Sequence, residues 1–351
     1  MSAPPAFGPL PDRTTPGGPP GGRAPAQHAA AYVVSAVLLL AFAGGVIAWL
    51  VDGIRQSDST AGDLLRAMVQ PSHTVDALLL TPYEWVFALA LITVAVLALL
   101  QRRVARGGAL VLAFLLLAIC LRQAVGSLDA DYREGFEDPD YGTWTLLTYG
   151  VGLAIAATVL VLMLPASRER PRSVTDALPP VPLRGAVTRP RPPIPYLLGG
   201  GLLVAVGVVQ AAWAIDRQRQ LDEAGYMSFG DYLRDLVDPS LYHSPLSLSS
   251  GLSFYEAALI VTLIVTGVLA LLGREVARGA GLTAAGVAAY LEARVVVARF
   301  EAGDWDAYFE SARGTLTILS MVFTATAIVT AVAALLAASA DAARRDVRSV
   351  W

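Results

Sequence analysis

Long apolar runs separated by short polar ones make up most of this chain. Eight runs reach or approach the roughly 20 residues that a helix needs to cross a hydrocarbon core of about 30 Å. They lie near Ala30–Val51, Tyr83–Leu100, Gly107–Val125, Thr143–Leu164, Tyr196–Ile215, Tyr255–Leu272, Gly279–Val297 and Gly314–Ala338. None contains an internal proline, and all are too long for buried strands. A helix satisfies its backbone polar groups within one segment, as a bilayer interior requires. The pattern predicts an all-α polytopic membrane protein with eight transmembrane helices.

The first run follows Arg13 and Arg23 and has small residues in "AFAGG", so it invites comparison with a secretory signal. Its length of about 22 residues exceeds that of a signal core, and the stretch before it is also long. It reads as a membrane span.

The pattern also repeats. "VLALLQRRVARG" begins at Val96, and "VLALLGREVARG" begins at Val268. A shift of 172 aligns Tyr83–Leu147 with Tyr255–Leu319 without a gap. Upstream, a shift of 168 brings "GDLLRAMVQPS" from Gly62 onto "GDYLRDLVDPS" from Gly230. A shift of 164 brings Trp49 and Asp52 onto Trp213 and Asp216. Charged and loop residues stay in register, which chance similarity between apolar helices does not explain. The expected architecture is two tandem four-helix repeats. Four is even, so both copies enter the membrane in the same direction and form parallel repeats.

The boundaries follow. Residues 1–29 form a Pro/Gly-rich tail expected to be disordered. Residues 30–164 are the first repeat, and residues 165–195 an Arg/Pro-rich linker containing "RPRPPIP". Residues 196–338 are the second repeat and residues 339–351 a final tail.

Composition adds a solvent and an orientation. Apolar residues make up 55% of the chain and charged residues only 16%, against about 25% in soluble domains. All 26 basic residues are arginine, which suits a GC-rich bacterial source. With both termini cytoplasmic, the inner segments hold 16 arginines and six acidic residues. The outer segments and span ends hold the other ten arginines and 23 acidic residues. This bias selects a multi-pass cell-membrane protein with both termini inside. The net charge of −3 gives no basic field for nucleic acid. Without lysine, a Walker A site or a Schiff base is excluded. The single cysteine, Cys120, lies in an apolar run and cannot form an internal disulfide.

Candidate chemistry is sparse. Glu84 and Arg122 fall at similar depths on consecutive antiparallel spans. An intramembrane ion pair is expected there, repeated as Glu256–Arg294, since charge in lipid needs a partner. Glu292 adds a charge to the second copy alone and points to the seventh span. Thr93, Gln210, Tyr290 and Glu292 are candidate polar residues for the seam between repeats. Leu64, Leu65, Met68 and Val69 share one helical face in an outer loop, as do Tyr232, Leu233, Leu236 and Val237. Asp63 and Asp231 are placed as helix N-caps, with Pro71 and Pro239 ending each element. The element is expected on the outer membrane surface or over the span ends. His73 and His243 follow the prolines, but their spacing matches no metal motif. "LDADYREGFEDPDYG" and "FEAGDWDAYFESARG" read as solvated acidic loops, a surface for a protein partner. Gly199, Gly200 and Gly201 suit close helix packing.

No HExxH, GxSxG, CxxC or dinucleotide-binding motif is present. No cofactor or metal is expected. The sequence favours a non-enzymatic binding, assembly or signalling component of the membrane. The alternative is a small-solute transporter or channel with its path at the seam.

Overall fold

The computed structural model describes residues 23–56, 60–73, 82–138, 141–167, 192–243, 252–303 and 305–348. The greater part of the expected tail and linker, Asp76, and parts of the acidic loops lie outside these residues. Among the described residues every regular element is helical. The one β-type contact is an isolated antiparallel bridge between Arg23 and Arg102.

Among the described residues twelve α-helices follow one another: α1 (Ala29–Gln56), α2 (Ala61–Val69), α3 (Pro82–Leu99), α4 (Arg103–Gly126), α5 (Ala130–Glu134), α6 (Gly142–Met163), α7 (Ile194–Glu223), α8 (Phe229–Asp235), α9 (Leu252–Leu271), α10 (Val276–Ala302), α11 (Trp305–Phe309) and α12 (Ala312–Arg348). Seven contain apolar stretches long enough to cross a membrane: α1, α4, α6, α7, α9, α10 and α12. The shorter apolar helix of α3, Tyr83–Leu99, rises about 26 Å at 1.5 Å per residue. Large apolar side chains also cover the outside. Val161 is 71% exposed and Val329 69% exposed. Helices that are apolar on both the packed and the open face are consistent with a polytopic membrane protein.

The long helices form two rings of four. In the first bundle α1 packs on α3, α3 on α4, α4 on α6 and α6 on α1. In the second, α7 packs on α9, α9 on α10, α10 on α12 and α12 on α7. The bundles meet chiefly where α4 lies against α10. Two glycines permit that approach. A Cβ on Gly107 would stand 2.3 Å from the Val276 carbonyl oxygen, and one on Gly279 would stand 1.9 Å from the Val104 oxygen. Both contacts join residues that the 172-residue shift exchanges. Tyr83 and Tyr255 do the same, stacking with ring centroids 5.0 Å apart. Small residues bring apolar helices close enough for backbone to meet backbone in lipid. Gly200 uses the same device inside the second bundle, where an added Cβ would lie 2.7 Å from the Gly267 oxygen.

The short helices α2 and α8 are capped alike. Thr60 caps α2 by accepting from the Asp63 amide at 3.3 Å, and Asp63 accepts from the Thr60 amide at 2.9 Å. Ser228 accepts from the Asp231 amide at 3.1 Å. This corrects the expected caps: Asp63 and Asp231 occupy the third helical position, and hydroxyl residues three places earlier do the capping. The Thr60 amide and hydroxyl bonds, in that order, hold the Asp63 carboxyl below its ordinary value.

A candidate ligand chamber in the second bundle

The ends of the spans are held by arginines that reach across the seam. Arg122 on α4 donates through Nε and Nη2 to the Asp235 carbonyl oxygen of α8, at 3.0 and 2.7 Å. Its Nη2 also lies 3.0 Å from Asp235 Oδ1. Arg122 and Asp235 are 3% and 1% exposed, so this is a buried ion pair. His243 Nε2 approaches the same carboxylate oxygen at 3.0 Å. On the other bundle, Arg294 donates to the carbonyl oxygens of Ala67 and Met68 in α2. The Tyr290 hydroxyl donates to Met68 at 2.8 Å.

The expected Glu84–Arg122 and Glu256–Arg294 pairs therefore give way to other partners. Glu84 accepts from the Tyr255 hydroxyl, and Glu256 pairs with Arg217 at 2.5 Å. The reason lies in α2 and α8. Each folds over the span ends of the opposite bundle and presents C-terminal carbonyls, which a helix end leaves unpaired. A guanidinium near the membrane boundary takes those acceptors, and Asp235 adds a carboxylate in one bundle only. Around this clasp, burial pushes the Tyr132 hydroxyl up to about 12. The tyrosine donates to Gln123.

The seam is nearly filled. Its cavity measures about 100 Å³ and is lined mainly by apolar side chains such as Phe87, Leu116 and Phe254. Of the four candidate seam residues, two lie elsewhere on their helices' business. Thr93 is exposed and donates to Leu89 of its own helix at 2.8 Å, while Tyr290 serves the α2 clasp. Gln210 and Glu292 line a different cavity, inside the second bundle.

That cavity measures about 670 Å³ and has both polar and apolar side chains in its walls. It opens between the α7 and α12 ends beside α11, near Asp216, Arg217, Gln220, Arg313 and Ser311. It descends to Val206, Leu263, Ala288 and Thr324. Thr324 stands twelve residues into α12, so the floor lies about 18 Å along that helix from its start. Below it the bundle is sealed by Leu203, Ala327, Ile328 and Leu335, each buried. Most charges at the mouth are matched. Arg313 pairs with Asp216 at 2.5 Å, Arg217 with Glu256 at 2.5 Å, and Arg299 lies over the Tyr308 ring and donates to its hydroxyl. Glu292 differs. It is 9% exposed, and its Oε1 has no hydrogen-bond partner.

The 172-residue shift shows why, among the described residues, the space at the first bundle's α1 and α6 ends does not reach as deep. Leu112, Leu116 and Tyr149 stand where the second bundle has Ala284, Ala288 and Met321. Cys120 stands where it has Glu292, and Gly152 where it has Thr324. Leu112, Leu116, Cys120 and Tyr149 are all buried in the core. The corresponding space is a groove of about 530 Å³ lined by Gly45, Ala48, Trp49, Asp52, Tyr141, Trp144 and Thr148, residues of the α1 and α6 ends. Trp49 donates across it to Thr148 at 3.0 Å. Sequence reasoning picked out Glu292 and Gln210 but not the loss of side-chain volume around them. Comparing the aligned copies residue by residue carries that signal.

Among the described residues, no cluster of three His, Cys, Asp or Glu side chains is placed to hold a metal ion. Comparison with protein-family models, curated proteins and solved structures finds no match.

Proposed function

We propose that this chain is a non-enzymatic binding component of the cell membrane, with its ligand site in the second-bundle chamber. In this reading α3 is an eighth span, and the two bundles are tandem parallel repeats of a duplicated four-helix unit. Both termini are cytoplasmic, following the arginine distribution, so the chamber opens outward. The observation that carries the reading is the buried, unpartnered Glu292 carboxylate on the cavity that descends into the second bundle. The first copy carries large side chains at these positions and serves as the scaffold. The second carries smaller and more polar ones there. Ligand sites between bundle helices have this form, with apolar walls and a few convergent polar groups. Exposed Asp131, Glu134 and Glu137 beside the first bundle leave an acidic surface for a protein partner.

The buried floor supports binding over passage, and the nearly filled seam offers little room for a path between bundles. The test is sidedness. A single cysteine replaces Gln210 in a Cys120→Ala background, and a membrane-impermeant thiol reagent is applied to right-side-out and to everted vesicles. Labelling from the outer face alone is expected. Labelling from both faces would establish alternating access and replace this reading with transport.

A further inference from the structure

Glu292 also restricts what the chamber takes. We propose that the chamber binds a small organic cation, a protonated amine with an apolar body, through the Glu292 carboxylate; this rests on the chamber reading above. The charge inventory supports it. Arg217 and Arg313 are engaged by Glu256 and Asp216. Arg299 is held against Tyr308, although its Nε lacks a partner. The remaining acidic side chain is Glu292, two turns below Arg299 on α10 and about 10 Å deeper along the axis.

No protein group bonds this buried carboxylate oxygen, so a ligand N–H donor can take the place of chamber water there. A bare metal ion fits poorly. Hard cations take six or more oxygen ligands, and the chamber supplies one uncommitted carboxylate. A volume near 670 Å³ with Val206, Leu259, Leu263 and Val295 in its walls suits a carbon skeleton. Trp213 lines the way in, and an indole ring attracts a passing cation.

The test is calorimetry on the full chain in lipid nanodiscs at neutral pH. The probes are phenethylamine and two comparators of similar shape, neutral 2-phenylethanol and anionic 3-phenylpropionate. The amine is expected to bind at least tenfold more tightly than either comparator. E292Q should remove that preference, while E84Q, at the seam cavity, should keep it. A288L restores the bulk of Leu116 and should abolish binding even if E292Q fails to fold. Equal binding of the three probes, preference for the anion, or an undiminished amine preference in E292Q would overturn the inference. The chamber reading survives those results if A288L still abolishes binding. Failure of wild type to bind the amine also overturns the inference, and thiol labelling then decides the chamber separately.

Discussion

Arg122 binds Asp235 across 113 residues of chain, with Nη2 2.7 Å from the carbonyl oxygen and 3.0 Å from Oδ1. The contact links an α4 end in the first bundle to the cap helix of the second. Arg294 makes the return contact to Ala67 and Met68. The bundles are therefore latched twice on one side and sealed at the opposite end by Gly107 against Gly279.

The two latches differ in strength. Removing one member of a buried ion pair leaves an uncompensated charge, at about 3–5 kcal/mol. R122A should approach that loss in thermal unfolding. R294A, which gives up backbone carbonyls at a half-buried site, should lose less. A double-mutant cycle of R122A with D235N should show coupling above about 1 kcal/mol, and R122A with E84Q should be near additive. Strong coupling to Glu84 would mean that the clasp is wrongly assigned.

The glycine crossing leaves no room for a methyl group. G107A places a carbon 2.3 Å from the Val276 oxygen, and G279A one 1.9 Å from the Val104 oxygen. Each should cost about 1–3 kcal/mol by overpacking, read as a lowered melting temperature. G201A is the control, because its Cβ would meet nothing within 4 Å.

The α2 cap responds to acid with a definite sign. The folded Asp63 carboxyl lies below its ordinary value of 3.8. Its contribution is fully present above the unfolded value and is lost as pH falls through the depressed folded value. Amide exchange in α2, taken relative to the intrinsic exchange rate at each pH, should stay slow at neutral pH and accelerate below about pH 4. T60A should accelerate it already at neutral pH, with a cost of about 1 kcal/mol. Protection that is unchanged in T60A would remove the cap from the account.

Run length and proline placement made the long helices readable from sequence. Composition carried the lipid-facing character, because neither depends on which helices touch. The charged pairs were not readable. Depth along a span places Glu84 and Arg122 at one level, but it does not reveal that α8 folds over from the other bundle with Asp235. The caps were misplaced by three residues because Thr60 and Asp63, like Ser228 and Asp231, are both capping types. Glu292 stood out as a charge without a counterpart. Its chamber emerges only when Leu112, Leu116 and Tyr149 are set against Ala284, Ala288 and Met321 on packed helices.

The most direct measurement compares two thiols at equivalent positions, using an impermeant methanethiosulfonate reagent on right-side-out vesicles. One is native Cys120, which is 4% exposed in the filled first bundle. The other is Glu292→Cys in a Cys120→Ala background. The account predicts that position 292 reacts while Cys120 does not, and that adding Ala288→Leu suppresses the reaction at 292. An unreactive thiol at 292, or equal reaction at Cys120, would contradict a hydrated chamber confined to the second bundle.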